Sequence, residues 1–305
     1  MAGFTLSNLS TYTSQISEFF TPTIIPASLE NAGIEIIDNV KYKTALNKLY
    51  TEVYLQNTTC GMSVSGYTAP SQITLEVCQI SYFDKYCFVG TTNQYWFNEL
   101  MAPGSDIANN EWFNRTFLPY LGKLLTEQVE RIFWLSDSDN GSGNLALCDG
   151  IVKAVSGDTT HQTTGTTSAF TASNIIDYIS AFYAKMPAKA QMADLVLYLS
   201  PNVAALIPQA YAAKGWYNYP VMTNGTMNFP LYPNIKISVQ GGLLNGNNQY
   251  ALLTPANNFV YGTDVKGEEL NFTWQPNPFD KYVYYMVDWK QGAAVKEKDL
   301  VVANF

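Results

Sequence analysis

The stretch that decides the interpretation of this chain is residues 127–144, EQVERIFWLSDSDNGSGN. Its first half has the pattern of an amphipathic helix, and its second half consists of acidic residues, serines and glycines. Asp137, Asp139 and Asn144 are spaced like some of the ligands in a calcium-binding loop. The stretch is therefore either a cation site or the end of a long helix at which the chain changes direction.

The calcium-loop template fails at two required positions. An EF-hand loop needs a glycine at its sixth position and a carboxylate at its twelfth. Counted from Asp137, those positions hold Ser142 and Cys148. The sequence therefore predicts a helix C-terminus followed by a turn at Gly141 and Gly143 rather than a metal site.

The helical pattern starts well before this stretch. From Asn110 to Leu135 apolar residues recur every three or four positions, which predicts one amphipathic helix about 39 Å long. Pro119 is expected to kink this helix or to restart it. The two arginines of the chain, Arg115 and Arg131, both lie in it, each four residues after a glutamate. That order favours intrahelical ion pairs, such as one between Glu127 and Arg131.

The composition excludes some classes of function. Of 305 residues, 47% are hydrophobic and only 14% are charged, whereas ordinary soluble domains have about 25% charged residues. A surface with so few charges is poorly protected against association, which favours a protein that assembles. An exported domain with a neutral surface would have the same composition, so this alternative stays open. With a net charge of −8 and two arginines, the chain is not expected to bind nucleic acid sequence-specifically, because such binding relies on arginine and lysine.

The cysteines favour folding in a reducing, cytoplasmic compartment. The first basic residue is Lys41, so a secretory signal is not expected. The sequence contains no run of about 18 apolar residues, so a membrane-spanning helix is not expected either. Cys60, Cys78, Cys87 and Cys148 are widely spaced and include no C-x-x-C pair. We therefore predict buried thiols rather than a disulfide framework.

The order of predicted elements indicates an α+β fold. Residues 1–40 read as an extended arm with one short helix near Leu6–Phe20. Residues 60–70, CGMSVSGYTAP, form a turn-rich tip between strand-like segments, which predicts a long β-ribbon. The predicted strands are Leu49–Leu55, Ile73–Ile80, Tyr86–Gly90, Gly150–Val155, Asp194–Ser200, Ile235–Val239, Tyr250–Thr254, Phe259–Tyr261, Glu269–Trp274, Tyr282–Trp289 and Asp299–Val302. The predicted helices after the first are Ser173–Met186, ended by Pro187, and Pro201–Lys214, closed by Gly215.

No residue is predicted to be catalytic, to bind a cofactor or to bind a metal. A Ser-His-Asp or Cys-His site would have to use His161, the single histidine, which lies in the Thr/Gly-rich loop 156–170. The cysteines and His161 lack the spacing of zinc ligands. GMSVSG at 61–66 is not G-x-S-x-G, and GTDVKG at 262–267 is followed by Glu268 where a P-loop needs lysine. A carboxylate pair of the glycosidase type stays open, and the chain is otherwise predicted not to be an enzyme.

Five stretches, taken in order, carry a resemblance to a known family. They are EVCQISYFDKYCFVG (76–90), VERIFWLSDSDNGSGNLALCDGIVKAV (129–155), MADLVLYLSPNVAALIPQAY (192–211), NIKISVQGGLLNGNNQYALLTPANNFVYGTDVKGEEL (234–270) and VYYMVDWKQGAAVKEKDLVV (283–302). Together they resemble the major capsid proteins of tailed bacteriophages (Caudoviricetes). That family has the Hong Kong phage-type fold, which cellular encapsulins and the capsid floor of herpesviruses share.

The resemblance implies a particular division of the chain. Residues 1–44 would be the N-terminal arm, and residues 45–92 the extended loop, a β-ribbon that lies over a neighbouring subunit. Residues 93–149 and 259–305 would form the peripheral domain, with its long spine helix at about 110–135. Residues 150–258 would form the axial domain. The acidic turn would then lie between the spine helix and the axial domain.

The resemblance also implies a function. Copies of the chain would form hexamers and pentamers, and these would close into an icosahedral shell around a double-stranded DNA genome. Expected partners are a portal, a scaffold, decoration proteins and weakly contacted DNA; neither a membrane nor a cofactor is expected. The expected location is the virion, after assembly in the host bacterial cytoplasm. Many relatives start with a charged helical scaffolding segment, which this sequence does not show from Met1, so a separate scaffold or none is expected.

Two alternatives stay open. An encapsulin-like compartment would have the same fold but would enclose enzymes. A soluble hydrolase or carbohydrate-binding domain would use the aromatic loop at 215–233 to contact sugar and would remain a monomer.

Overall fold

The computed structural model of the chain describes residues 29, 32–55, 66–87, 118–157, 162–163, 169–216, 223, 225–246, 248–271, 273–277 and 282–305. Several predicted features lie outside this part of the chain: the short helix near Leu6–Phe20, residues 56–65 of the ribbon tip, the first eight residues of the long helix, and His161.

Within the described residues the strands are β1 (Glu35–Ile37), β2 (Lys43–Val53), β3 (Gly66–Glu76), β4 (Cys78–Cys87), β5 (Gln162–Thr163), β6 (Leu195–Leu199), β7 (Thr226–Asn228), β8 (Ile235–Val239), β9 (Ala251–Pro255), β10 (Phe259–Thr263), β11 (Thr273–Asn277), β12 (Tyr282–Val295) and β13 (Val302–Asn304). The α-helices are α1 (Leu118–Leu135), α2 (Ile151–Ser156), α3 (Ile175–Lys185), α4 (Ala188–Gln191), α5 (Pro201–Ala204) and α6 (Leu206–Ala213). Short 3-10 helices span Gly143–Ala146, Gly241–Leu243, Glu268–Leu270 and Lys298–Leu300.

The 14-residue strand β12 organises the first sheet, whose order is β1-β10-β12-β11, with β4 also paired to β12. Its first part pairs antiparallel with β11 and with β4, up to the pair Gln291↔Cys78. Its last part pairs antiparallel with β10, where Gly262 lies opposite Gly292. β1 joins the sheet parallel to β10.

The second sheet has the order β5-β13-β9-β6-β8-β7 and surrounds β6, whose five residues are all buried. A strand that is covered on both faces reads as a continuous apolar run, as LVLYL does here. Leu195, Leu197 and Leu199 pack into a core with α3 and α6. Val196 and Tyr198 point the other way, into a second core that includes α1.

The second core connects α1 to both sheets through aromatic rings. Trp134, near the end of α1, is fully buried. Its ring centroid lies 5.1 Å from that of Tyr198 in β6 and 5.8 Å from that of Phe259 in β10. Truncating a buried aromatic residue of this kind to alanine costs about 3–5 kcal/mol of stability. The rings therefore hold the helix against the sheets.

The long-helix prediction is confirmed for the part of the helix that the structure describes. α1 is described from Leu118 and ends at Leu135, as predicted. The expectation that Pro119 kinks or restarts the helix depends on residues before 118, which lie outside the described part of the chain, and stays a prediction. The predicted pair of Glu127 with Arg131 is not among the ion pairs of the described residues. The Nε of Arg131 is buried there without a hydrogen-bond partner.

The ribbon prediction is also confirmed, with different limits. β2 and β3 form an antiparallel two-stranded sheet from Lys43↔Glu76 to Val53↔Gly66. The single strand predicted at Ile73–Ile80 is wrong in part, because β3 ends at Glu76 and β4 starts after one residue, Val77, and crosses to β12.

Three further strand predictions are wrong in part or in full. Gly150–Val155 was predicted as a strand because it is rich in β-branched residues, but Ile151–Ser156 is helical. Ile151 and Val155, one helical turn apart, are both buried in the second core, so tertiary packing overrides propensity. The predicted strands Glu269–Trp274 and Asp299–Val302 each begin as a 3-10 helix and become strands only at β11 and β13.

Proline and glycine residues mark where the later helices end or break. α3 ends at Lys185, and the next residue, Met186, has an extended backbone (ψ 134°) before Pro187, as expected. The predicted helix Pro201–Lys214 is instead broken at Ala205 into α5 and α6. Pro208 has no N–H to continue the hydrogen-bond ladder across this break. Gly215 closes the segment with φ 68°.

The cysteine prediction is wrong for one pair. Cys78 and Cys148 are joined by a disulfide, although 70 residues separate them in sequence. Spacing did not reveal this pair because the fold brings the start of β4 beside the segment before α2. Cys60 and the side chain of Cys87 lie outside the described part of the structure.

Candidate functional site

The acidic turn after α1 holds a lysine from the protein itself. Lys153 Nζ, on α2, lies 2.9 Å from Asp137 Oδ1, 2.8 Å from Asp139 Oδ2 and 2.7 Å from Asp149 Oδ1. It also donates to Ser138 Oγ at 3.1 Å. Hydrogen bonding to Lys153 lowers the pKa of the Asp137 carboxyl, and the bonds to Asp139 and Asp149 raise the pKa of Lys153. The carboxylates thus already have a cation, and we call this group the lysine clasp.

The backbone of the turn explains why the sequence needs a glycine there. The Gly141 N–H donates to the Asp137 carbonyl at 2.7 Å, and the Asp137 N–H donates to the Leu145 carbonyl at 2.8 Å. A Cβ on Gly141 would lie 2.2 Å from the Leu145 carbonyl oxygen. The predicted helix end and turn are confirmed, and the turn joins α1 rigidly to α2.

A buried polar network connects α1 to the end of the second sheet. The carboxylate of Glu130, which is 3% exposed, accepts the Gly242 N–H at 2.8 Å. One turn further along, Trp134 Nε1 donates to Gln240 Oε1 at 3.3 Å, and Gln240 Nε2 donates to Ser238 Oγ at 2.8 Å. Buried polar groups must be paired to avoid a desolvation penalty, so this network fixes the position of the Gly241–Leu243 turn on α1.

The ribbon has two different faces. On one face, cross-strand polar pairs join Lys43 to Glu76 at 2.8 Å and Asn47 to Gln72 at 3.0 Å. On the other face the register pairs Leu46 with Ile73 and Tyr50 with Ala69, while Tyr67 lies opposite Glu52. Lys48 opposite Ser71 is a polar pair on this face as well. We define this ribbon apolar face by Leu46, Tyr50, Tyr67, Ala69 and Ile73.

Among the residues that the structure describes, contacts with the rest of the chain cover the base of the ribbon apolar face. Leu46 packs against a small core that includes Leu75 and Val260. Further out, Tyr50 is 49% exposed and Tyr67 is 61% exposed. A two-stranded ribbon is marginally stable by itself, and large exposed apolar surfaces mark protein interaction sites. The face is therefore suited to bind another protein surface.

The base of the ribbon is fixed by two glycines of the first sheet. A Cβ on Gly262 would lie 2.8 Å from Leu75 Cδ2, and a Cβ on Gly292 would lie 2.0 Å from the Glu76 carbonyl oxygen. Lys48 adds an ion pair to Glu297 at 3.3 Å. The ribbon therefore projects from the first sheet in a defined direction.

The segment GTDVKG at 262–267 has a structural role in place of phosphate binding. Asp264 accepts from Lys41 at 2.5 Å and from Lys290 at 2.9 Å, and these bonds lower the pKa of its carboxyl, the one from Lys41 most. In the described residues no group of three or more His, Cys, Asp or Glu side chains is placed to hold a metal ion. No helix in the described part of the chain is both long and apolar enough to cross a membrane.

Comparison with known proteins gives the fold its identity. No protein-family model and no curated protein matches the chain. Among solved structures, the capsid of the empty GTA particle is 12% identical with a TM-score of 0.63, and the match covers 96% of this chain and 94% of that one. The capsid of Myoviridae phage XM1 is 14% identical with a TM-score of 0.60 and 99% coverage of both chains. The SrpI encapsulin complex of Synechococcus elongatus PCC 7942 is 13% identical with a TM-score of 0.56, at 97% and 91% coverage.

These similarities define a class of protein: the chain has a mixed helix-and-sheet fold of the capsid type. More particularly, it has the Hong Kong phage-type fold of tailed-phage major capsid proteins, which encapsulins share. The resemblance inferred from the sequence is confirmed. The three structures named above are two capsids and an encapsulin complex.

Proposed function

We propose that this chain is the major capsid protein of a tailed double-stranded DNA bacteriophage. Its copies would form hexamers and pentamers of an icosahedral shell that encloses the genome. The observation that carries this proposal is the match to the XM1 capsid over 99% of both chains. A fold alone does not fix a function, so the surface of this chain has to support the proposal as well.

The division of the chain follows from the same proposal. Residues 1–44 are the N-terminal arm, 45–92 the extended loop, 93–149 and 259–305 the peripheral domain, and 150–258 the axial domain. α1 is then the described part of the spine helix. The lysine clasp and the Glu130 network lie where that helix meets the axial domain, so they set the orientation of one domain on the other.

The ribbon apolar face supplies the intersubunit contact. Its outer tyrosines, Tyr50 and Tyr67, are exposed in the single chain, and burying them on a neighbour contributes about 25 cal/mol per Å² of apolar surface. Obligate interfaces bury more than about 2,000 Å² in total. A projecting ribbon reaches that area without enlarging the body of the subunit.

The charge of the chain suits a container more than a DNA-binding protein. With a net charge of −8 and two arginines, it offers few counter-charges to phosphates, so contact with packaged DNA is weak and non-specific. DNA is then retained by the closed wall. A portal, a scaffold and decoration proteins are further proposed partners, the virion is the proposed location, and the host bacterial cytoplasm is the proposed site of assembly.

An encapsulin-like compartment is the second candidate, because an encapsulin complex matches over 97% of this chain. The two functions differ in what the particle encloses, which is DNA for a phage capsid and a cargo protein for an encapsulin-like compartment. Particles from the native host that protect DNA from nuclease support the phage capsid, whereas particles that retain a second protein and no DNA support the compartment.

Electron microscopy and analytical ultracentrifugation of the purified full chain test the capsid proposal itself. We expect capsomers or closed icosahedral shells. A stable species with the mass of one 33.9 kDa chain at high protein concentration, and with the native fold intact, contradicts it. That result is expected for a soluble hydrolase or carbohydrate-binding domain.

A further inference from the structure

The disulfide between Cys78 and Cys148 lies where three parts of the chain meet. Cys78 opens β4, two residues after β3 of the ribbon ends at Glu76. Cys148 lies between the 3-10 helix Gly143–Ala146 and α2. Their Cα atoms are 6.0 Å apart, which is ordinary for a disulfide. The crosslink therefore joins the base of the ribbon to the segment that follows α1.

The third part is β12, on which both cysteines rest. Gln291 is the register partner of Cys78, and its carbonyl oxygen lies 3.9 Å from Cys148 Sγ. Its buried side chain donates to the Val129 carbonyl of α1 at 3.4 Å. Because these elements are in direct contact, the two sulfurs are held side by side by the fold around them.

The two cysteines differ in exposure. Cys148 is only 3% exposed, whereas Cys78 is half-buried. Thiol–disulfide exchange requires access to one sulfur, so Cys78 is the residue at which exchange begins.

We propose that Cys78 and Cys148 form a redox-controlled crosslink. The pair stays as two thiols while the chain folds and assembles inside a reducing cell, and it closes after the shell is released. This inference rests on the proposed capsid function, since a shell is built inside a cell and used outside it. Glutathione and thioredoxin keep thiols reduced in the cytoplasm, and disulfides persist outside it.

The closing reaction needs an oxidant of the small-molecule disulfide class, such as oxidised glutathione. The thiolate of Cys78 attacks one sulfur of that disulfide, and one small thiol leaves. The thiolate of Cys148 then attacks the Cys78 sulfur of the mixed disulfide, and the second small thiol leaves. The cysteines lose two protons and two electrons, and the small disulfide takes up both.

Closure restricts the unfolded chain, because it ties residues that are 70 positions apart. We therefore expect the melting temperature of oxidised shells to exceed that of reduced shells by about 5–10 °C. The crosslink also keeps the ribbon base on β12, so oxidised shells should dissociate more slowly in denaturant.

The test uses the full wild-type chain. Cells that express it are lysed directly into denaturant that contains N-ethylmaleimide, so that buried thiols react as well, and peptide mass spectrometry should find both cysteines alkylated. Purified shells are then oxidised with oxidised glutathione before alkylation, and the two peptides should be linked and lack two hydrogen atoms.

A second experiment measures stability. Calorimetry compares the melting temperatures of oxidised and dithiothreitol-reduced shells of wild type, Cys78→Ser and Cys148→Ser. The redox-dependent shift should vanish in both variants and persist in the matched double variant Cys60→Ser/Cys87→Ser.

Three results overturn the crosslink: a linked peptide already present in freshly lysed cells, no linked peptide after oxidation, or a redox-dependent shift that persists in Cys78→Ser. The peptide measurements need no variant, so a variant that fails to fold does not affect them. Electron microscopy of the same samples tests the capsid function separately. Shells without a redox response contradict only the crosslink, and a folded monomer contradicts the capsid.

Discussion

The carboxylate of Glu130 accepts the backbone N–H of Gly242 at 2.8 Å, at a place where a Cβ on Gly242 would lie 2.7 Å from the backbone carbonyl of Glu130. The two residues are 112 positions apart. Their contact brings the Gly241–Leu243 turn directly onto α1, so the helix and the second sheet share one fixed junction.

This junction predicts that Gly242→Ala destabilises the protein by about 1–3 kcal/mol, because the new methyl group meets backbone that cannot move aside. The free energy of unfolding from denaturant titration measures the effect. Gly241→Ala is the matched control, since its Cβ would lie 3.7 Å from Glu130 Oε2 in ordinary contact. Equal stability of the two variants would show that the close approach is not a constraint.

The lysine clasp predicts a pH-dependent effect of Lys153→Met. The variant loses the cation shared by Asp137, Asp139 and Asp149, so its melting temperature at pH 7 should fall. The folded pKa of Asp137 is lowered, so the stabilisation from its carboxylate is complete above its unfolded pKa of about 3.9. That stabilisation is lost as the pH falls below this value towards the lower folded pKa. The gap between wild type and variant should therefore shrink below about pH 4.

Thermal melts of both proteins from pH 7 to pH 3 check this expectation. Lys123→Met, which removes an exposed lysine of α1, controls for the change in net charge and should leave the melting temperature nearly unchanged. A gap of constant size at every pH would mean that Lys153 acts through packing and not through its ion pairs.

The features that were predicted correctly from the sequence are those that depend on residues close together in the chain. The LVLYL strand, the end of α3 before Pro187 and the turn at Gly141 were all correctly placed, because each depends on a local pattern or a local steric rule. The strand-like segments on both sides of a turn-rich tip predicted the ribbon. They did not predict its register, because register depends on which residues face each other across the two strands.

The features that sequence reasoning missed depend on residues far apart in the chain. Ile151 and Val155 favour a strand by propensity, and only their burial against α1 and β12 makes that segment helical. The Cys78–Cys148 pair and the Glu130–Gly242 contact have no local signature at all. The pair of Lys153 with Asp149 had one, because Asp149 precedes Lys153 by four residues and lies just before what proved to be the helix α2.

The ribbon apolar face predicts a separation between folding and assembly. Tyr50→Ser/Tyr67→Ser removes two exposed rings, so the stability of the isolated subunit should change by less than about 0.5 kcal/mol per site. If the ribbon makes the proposed contact with a neighbouring subunit, assembly should fail or need a much higher protein concentration, because that apolar surface is lost. Sedimentation gives the fraction in particles, and circular dichroism gives the subunit melting temperature.

The opposite face of the ribbon provides the control for this experiment. Thr51 and Thr68 are cross-strand partners there, with their hydroxyls 3.4 Å apart. Thr51→Ser/Thr68→Ser keeps that pair and should assemble like wild type. If the tyrosine variant also assembles like wild type, the ribbon apolar face is not an assembly surface.

The base of the ribbon predicts a larger effect on the subunit itself. A Cβ on Gly292 would lie 2.0 Å from the Glu76 carbonyl oxygen, so Gly292→Ala must push β3 away from β12. Because β3 is paired to β2 and β12 is paired to β10 and β4, neither backbone can move aside freely, and we expect a loss of at least about 1–3 kcal/mol in the free energy of unfolding. The ribbon should also become more susceptible to proteolysis, since its direction is set here.

Ala293→Ser provides the control. The side chain of residue 293, the next residue of β12, points to the other face of the sheet, so this substitution should have little effect on either measurement. If Gly292→Ala keeps both the stability and the protease resistance of wild type, the ribbon is held by its side chains and not by this backbone contact.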